Sequence, residues 1–307
     1  MSCGVAEDNP DEGTGILYAG AAYAIWGFVP LYWRLLAAVS PFEITVHRVL
    51  WCAVFTAAVT LSRTRLGHIL AIVRAPRMIG ALILTSALIS INWTLFIWCV
   101  STHRLIEASL GYYMTPLVSI VLGVVLLGER ISRIRLAAIA LATVAVGVKA
   151  IEVGALPWIA PALALSFGFY GYLRKLIPVD AFDGLTVETL ILFPLMLVIV
   201  LAWAHTGTGA FRPDTPGRDA LLILSGPVTA APLVLFAAGA RRVRMSTLGF
   251  LQYFSPSITL AVATLAFGER FTGTDAVTFA FVWAALLLVG LEGRSVREIA
   301  RTAEPSQ

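Results

Sequence analysis

Residues 103–130 read HRLIEASLGYYMTPLVSIVLGVVLLGER, and residues 241–270 read RRVRMSTLGFLQYFSPSITLAVATLAFGER. The second stretch repeats the first. HRLIEASLG (103–111) aligns with RRVRMSTLG (241–249). After a two-residue insertion, YMTP ending at Pro116 meets YFSP ending at Pro256, and each proline precedes a Gly-Glu-Arg, 128–130 and 268–270, by the same interval. Order of this kind marks a duplicated unit. Weaker echoes lie earlier in each half: AIWGF (24–28) with GFYGY (168–172), and TVHR (45–48) with TVET (186–189).

The duplicated unit is apolar throughout. Of 307 residues, 59% are hydrophobic and 13% charged, against roughly 25% charged in a soluble domain. The apolar residues fall into ten segments, approximately 16–38, 44–62, 78–101, 105–127, 134–151, 156–176, 184–204, 219–240, 246–267 and 274–292. Each is close to the ~20 residues a helix needs to span ~30 Å of hydrocarbon. The expected fold is therefore an all-α polytopic membrane protein. Each half holds five helices, and because five is odd the second half enters the membrane from the opposite side. Ten transmembrane helices as two inverted five-helix repeats, residues 16–151 and 156–292, follow from that count. Such repeats recur in secondary transporters, which bind near the midplane between the halves.

Basic residues set the orientation. Arg63, Arg65, Arg74 and Arg77, then Arg130, Arg133 and Arg135, then Arg174 and Lys175, then Arg241, Arg242 and Arg244, and finally Arg294, Arg297 and Arg301 all fall on one set of alternate loops. That set is read as cytoplasmic, with the tails 1–15 and 293–307 on the same side. The first tail carries Glu7, Asp8, Asp11 and Glu12 but no Lys or Arg, unlike a cleavable signal peptide, so the first helix is expected to be retained. The net charge of +4 is spread over many loops and does not read as a nucleic-acid surface.

Polar groups inside the apolar segments are the candidate site. EITVHRVLW (43–51) heads the second segment. If hydrocarbon began only after Arg48, residues 49–62 would span ~21 Å at 1.5 Å per residue, too little to cross. His47 and Arg48 are thus expected below the outer interface. Arg48 either snorkels outward along its aliphatic stem or faces the interior, where it could hold a carboxylate of substrate or protein. The second is preferred, because a submerged charge costs about 2.5–3.5 kcal/mol and such residues usually face the bundle. His47, with an ordinary pKa of ~6.5, could change charge in the physiological range. Glu43 could pair with His47 or Arg48 but is read as a helix cap. In the second half Glu188 takes the place of His47, and the two are the proton-coupling candidates; a helix-start Glu favoured by the macrodipole is the plainer alternative for Glu188.

Three prolines, Pro116, Pro232 and Pro256, are expected to break or bend their helices. A proline removes the backbone donor to the fourth residue before it, freeing the carbonyls of Tyr112 and Gln252. Tyr112, Tyr113, Gln252, Tyr253, Asn92 and Trp93 lie nearby and suit a mostly apolar pocket with a few orienting hydrogen bonds; interfacial belts are the alternative for the aromatic residues. Each Gly-Glu-Arg is read as a glycine helix stop followed by a turn in which Glu pairs with a nearby Arg.

Enzyme chemistry is poorly supported. The histidines at 47, 68, 103 and 205 are far apart, and HExxH, GxSxG, CxxC and GxxxxGK are missing. Cys3, Cys52 and Cys99 have no metal-ligand spacing, so no metal or cofactor is expected. A channel is the nearer alternative, although no ring of like charges is visible. With no ATP-binding segment, energy would come from a gradient or from exchange.

On EITVHRVLW, NWTLFIW (92–98), EASLGYYMTPL (107–117), STLGFLQYFSPS (246–257) and the two Gly-Glu-Arg turns, the chain resembles the drug/metabolite transporter superfamily, EamA type, and within it the RarD-like permeases. The resemblance covers essentially all of residues 16–292. It implies a multi-pass bacterial inner-membrane protein with ten helices around a central cavity. It also implies export or exchange of small polar or amphipathic metabolites or drugs, and leaves a homodimer open.

Overall fold

A computed structural model describes residues 11–102, 105–153, 158–212, 214–268 and 271–303. All regular structure among them is helical. The helices are α1 (Asp11–Leu35), α2 (Pro41–Ser62), α3 (Leu66–Arg74), α4 (Pro76–Ser101), α5 (Leu105–Leu127), α6 (Arg133–Val153), α7 (Ile159–Leu176), α8 (Ala181–Thr206), α9 (Pro216–Ala240), α10 (Met245–Gln252), α11 (Phe254–Phe267) and α12 (Gly273–Ala303). Eight spans among the described residues are long and apolar enough to cross a membrane. They comprise α1, α2, the first part of α4, α6, α8, α9, the continuous stretch over α10 and α11, and the first part of α12. The chain is thus a polytopic helical protein, the form in which a spanning backbone satisfies its own polar groups.

Local chemistry sets the helix ends. Ser40 caps α2 by accepting from the Glu43 amide at 3.1 Å, with Pro41 next in line. Asp180 caps α8 by accepting from Phe182 N at 3.0 Å. Gly207 and Gly268 stop α8 and α11 in the left-handed region, at φ of 67° and 70°, where a Cβ would be strained.

Several sequence expectations need correction here. α1 begins at Asp11 and α12 continues to Ala303, so helix occupies parts of both expected tails. α3 is a separate short helix in what was read as a loop. Of the three prolines, only Pro256 sits by an interruption, with α10 ending at Gln252 and α11 starting at Phe254. Pro116 and Pro232 lie inside continuous α5 and α9. One lost donor is tolerated when the turns on either side remain bonded and neighbouring helices pack against the site.

The surface is inverted relative to a soluble protein. Leu265, Ile151 and Val125 are 87%, 82% and 70% exposed, whereas Arg174 is 1% and Glu188 2% exposed. Helices approach one another through small residues. A Cβ on Gly226 of α9 would strike the backbone of Trp51 and Cys52 of α2, and one on Gly249 of α10 would strike the Pro116 carbonyl of α5. At the bundle centre, Tyr23 and Trp26 of α1, Phe167 and Tyr170 of α7 and Phe236 of α9 form one aromatic cluster, with Tyr170 stacked on Phe236 at 6.0 Å and 13°.

Candidate functional site

Arg48 lies seven residues beyond the start of α2, or ~10 Å along the axis. Its guanidinium carbon sits 4.5 Å from the ring centre of Trp93 on α4 and 5.5 Å from that of Trp33 on α1. Two indole faces therefore hold the cation inside the bundle, a contact that gains strength as water is excluded. Its buried Nε has no hydrogen-bond partner among the described residues, and no described carboxylate lies within ion-pair distance of it. Tyr112 is close enough to interact electrostatically with Arg48, is 42% exposed and meets Phe96 edge to face at 5.9 Å. Arg48 itself is only partly buried, so protein does not seal it completely. Trp51, one turn further along α2, instead packs its ring against Phe211 at 5.9 Å, and its buried Nε1 has no partner among the described residues.

His47 points elsewhere. It is 1% exposed and stacks on Phe211 of the α8–α9 loop, with ring centres 5.4 Å apart and planes at 24°. Among the described residues neither ring nitrogen has a hydrogen-bond partner, and Nε2 lies 3.9 Å from Glu43 Oε1. The Glu43 carboxylate accepts from the Ala210 amide at 2.5 Å, so it pins that loop; Ser40 caps the helix in its place.

Glu188 lies equally deep in α8, seven residues beyond Ala181, and its neighbourhood is closed. It accepts from Thr85 Oγ1 at 2.6 Å and Tyr170 Oη at 3.4 Å, and it faces Arg174 Nη1 at 3.7 Å. Arg174 Nη2 donates to the Ala181 carbonyl at 3.1 Å. Arg174 is therefore an interior cation and not the loop residue that the charge pattern suggested. Cys52 lies near enough to both Arg48 and Glu188 to feel their charges, and the Thr56 and Thr189 hydroxyls meet at 3.4 Å across α2 and α8.

The remaining expected cavity residues separate by role. Trp93 joins Arg48 and Tyr112. Asn92 instead donates through Nδ2 to the Leu163 carbonyl and to Ser166 Oγ, both at 3.0 Å, which ties α4 to α7. Tyr113 and Tyr253 are packed with Phe279 and Val282 in a buried cluster joining α5, α6 and α12, and Gln252 accepts from Ser119 Oγ at 3.2 Å. Glu129 of the first Gly-Glu-Arg pairs with no arginine among the described residues. It accepts from the Met245 and Ser246 amides at 2.6 and 3.0 Å, capping α10 across the bundle. Glu269 and Arg270 of the second turn, and most of HRLIEASLG, lie outside the described residues or side chains. Sequence reasoning missed Trp33, Thr85, Tyr170, Arg174 and Phe211.

Ion pairs and hydrogen bonds close both ends of this region. At the end bearing α3, Arg65 Nη2 meets Asp183 at 2.9 Å and Asp180 at 3.4 Å, and Arg241 donates to the Val179 carbonyl at 2.7 Å. A partly open cavity of about 560 Å3 lies there, lined by Arg63, Arg65, Asp180, Phe182, Arg241 and Arg242 among others. At the opposite end, Tyr32 donates to the Leu221 carbonyl and Glu43 holds Ala210.

A family model described as the EamA-like transporter family matches residues 13–149. The chain is 41% identical over 296 residues to an uncharacterized transporter of Vibrio cholerae, covering 96% of this chain and 98% of the relative. It is 41% identical over 274 residues to Protein RarD of Escherichia coli, covering 89% and 93%. It is 30% identical over 295 residues to the chloramphenicol-sensitive protein RarD of Pseudomonas aeruginosa, covering 94% and 98%. A solved structure described only as "Crystal structure of protein" has a similar fold, with a TM-score of 0.68 at 18% identity over 93% of this chain and 99% of that one.

Proposed function

The chain belongs to the RarD-like group of the EamA-like transporter family, in the drug/metabolite transporter superfamily, and from that premise we propose that it works by alternating access around the chamber holding Arg48. Family membership makes it a multi-pass membrane transporter of small molecules and not an enzyme. The finer reading is a carrier of small polar or amphipathic metabolites or drugs, acting by export or exchange. The observation that carries it is a cation caged by Trp33 and Trp93 with no protein anion beside it among the described residues. A submerged charge that serves only packing would be paired.

Two inverted halves, 16–151 and 156–292, are the proposed moving bodies, with α5 and α7 completing ten spans. The packing pattern supports this. Exchange α1 with α7, α2 with α8, α4 with α9, α5 with α10–α11, and α6 with α12. Contact of α5 with α7 then becomes α11 with α1, α4 with α7 becomes α9 with α1, and α2 with α9 becomes α8 with α4. The pairs α2 with α8, α5 with α10 and α6 with α12 return to themselves, and every one of these contacts occurs. The end carrying α3 and most of the loop arginines is read as cytoplasmic, in a bacterial inner membrane. On that reading the Arg65–Asp183 tie is the inner closure and Glu43–Ala210 part of the outer one.

Proton coupling is assigned to Glu188, whose carboxylate is held by a hydroxyl, a phenol and a guanidinium. The test is flux in everted vesicles with a panel of amino acids, amphenicols and small organic acids. Saturable flux lost in Arg48→Ala with folded protein retained is the expected result, and linear flux favours a channel. Proton movement evoked by the transported compound should fail in Glu188→Gln; unchanged stoichiometry there and in His47→Gln rejects the coupling assignment.

A further inference from the structure

Resting on the transport reading above, we infer that the Arg48 chamber takes an organic monoanion, its carboxylate on the guanidinium and its apolar body against the indoles. Charge balance carries the argument. Among the described residues, Arg174 is offset by Glu188, Lys149 by Asp275 and Glu152, Arg135 by Glu292 and Arg65 by Asp183, while Lys175 donates to the Ala240 and Val243 carbonyls. Glu129 and Glu43 are satisfied by backbone amides. Among the described residues Arg48 has aromatic faces and no acid beside it, so its positive charge is uncompensated there.

The available hydrogen-bonding group agrees in sign. Arg48 Nε is a buried donor with no acceptor among the described residues and can only donate, whereas Trp51 turns its ring to Phe211 beside His47. Buried donors left unmet are costly, so the complementary ligand brings acceptors. The indoles meet the guanidinium carbon at 4.5 and 5.5 Å and bring no acceptor, whereas a carboxylate can pair with the N–H edge of a guanidinium in two parallel hydrogen bonds. A single cation selects one negative charge and repels an ammonium. Trp33, Trp93, Phe96 and Tyr112 supply the surface for a hydrocarbon or aryl body.

The test uses the purified full-length chain and three probes of one shape: 3-phenylpropionate, 3-phenylpropanol and 3-phenylpropylamine. Binding is followed by intrinsic tryptophan fluorescence, to which Trp33 and Trp93 contribute. The expected result is saturable binding of the carboxylate at least tenfold tighter than the alcohol or the amine. Arg48→Gln should bring the carboxylate down to the level of the alcohol, and Arg48→Lys, which keeps the charge but loses the fork, should fall between. Should Arg48→Gln fail to fold, the ranking of the three probes on the unaltered chain and the Arg48→Lys value decide the matter. Equal or tighter binding of the amine or alcohol, binding of none of the three, or an unchanged affinity in a folded Arg48→Gln overturns the inference. Saturable flux of amines or neutral compounds in vesicles would do so while leaving the transporter reading intact. Carboxylate binding without saturable flux of any compound would sink the transporter reading alone.

Discussion

The Arg174 guanidinium lies 3.7 Å from the Glu188 carboxylate, and the two side chains are 0% and 3% exposed. Arg174 sits in the last turn of α7 and Glu188 in the third turn of α8, so the pair locks two consecutive helices. Two of the Arg174 nitrogens, Nε and Nη1, have no hydrogen-bond partner among the described residues, so the attraction is mainly that of charge on charge. Removing one member leaves the other as a bare charge in a dry place.

Arg174→Met is therefore expected to destabilise the protein by about 3–5 kcal/mol, and the double variant Arg174→Met/Glu188→Gln by clearly less. Reversible unfolding in detergent, or the midpoint of thermal aggregation as a ranking, reads both. A double variant less stable than the single one contradicts the pairing.

Asn92→Leu separates glue from cavity lining. The structure gives both Nδ2 bonds to α7, and hydrogen bonds between membrane helices average about 0.6 kcal/mol. A small loss of thermal stability with an unchanged half-saturation concentration for transport is expected. A large rise in that concentration at unchanged stability would return Asn92 to the substrate path.

Gly226 tests the α2–α9 contact. Its added Cβ would strike the backbone at Trp51, whereas nothing lies within 4 Å of one at Gly147. Overpacking typically costs about 1–3 kcal/mol, and Gly to Ala in an open helical position gains roughly 1 kcal/mol of propensity. Gly226→Val should lower the melting temperature and Gly147→Ala should hold or raise it. Equal melting temperatures for the two would refute the close approach.

Hydropathy made the helical class legible, because nine of the ten apolar segments fall largely on one helix each and the segment 246–267 on α10 and α11 together. It missed α3, since the nine residues LGHILAIVR are too few to span and lie between two arginine-bearing turns; their apolar residues at 66, 69, 70, 72 and 73 were the available sign. Arg48 was legible because its position leaves too little apolar length beyond it. Arg174 was not, because a basic residue near the end of an apolar run looks the same whether it reaches water or turns inward to Glu188. Asn92 and Tyr112 are alike in sequence terms, as polar groups in apolar helices. Only the neighbours, Leu163 and Ser166 for one and Arg48 for the other, divide them.

Orientation is checked with reporter fusions. Alkaline phosphatase fused after Gln307 should be inactive and a fluorescent protein fused there bright, because the α3 end carries the arginine clusters. An active phosphatase fusion puts the carboxyl terminus outside and reverses the assignment of inner and outer closures.

Accessibility of the space beside Arg48 tests the account most directly. Tyr112→Cys, in a chain also carrying Cys3→Ser, Cys52→Ala and Cys99→Ala, is treated with a membrane-impermeant maleimide applied to right-side-out and to everted vesicles. The same is done after Arg65→Cys and Asp183→Cys have been joined by a short thiol cross-linker. The account predicts labelling from both faces before joining and from the outer face alone afterwards. Labelling from only one face before joining, or unchanged labelling from the inner face afterwards, would contradict alternating access around Arg48.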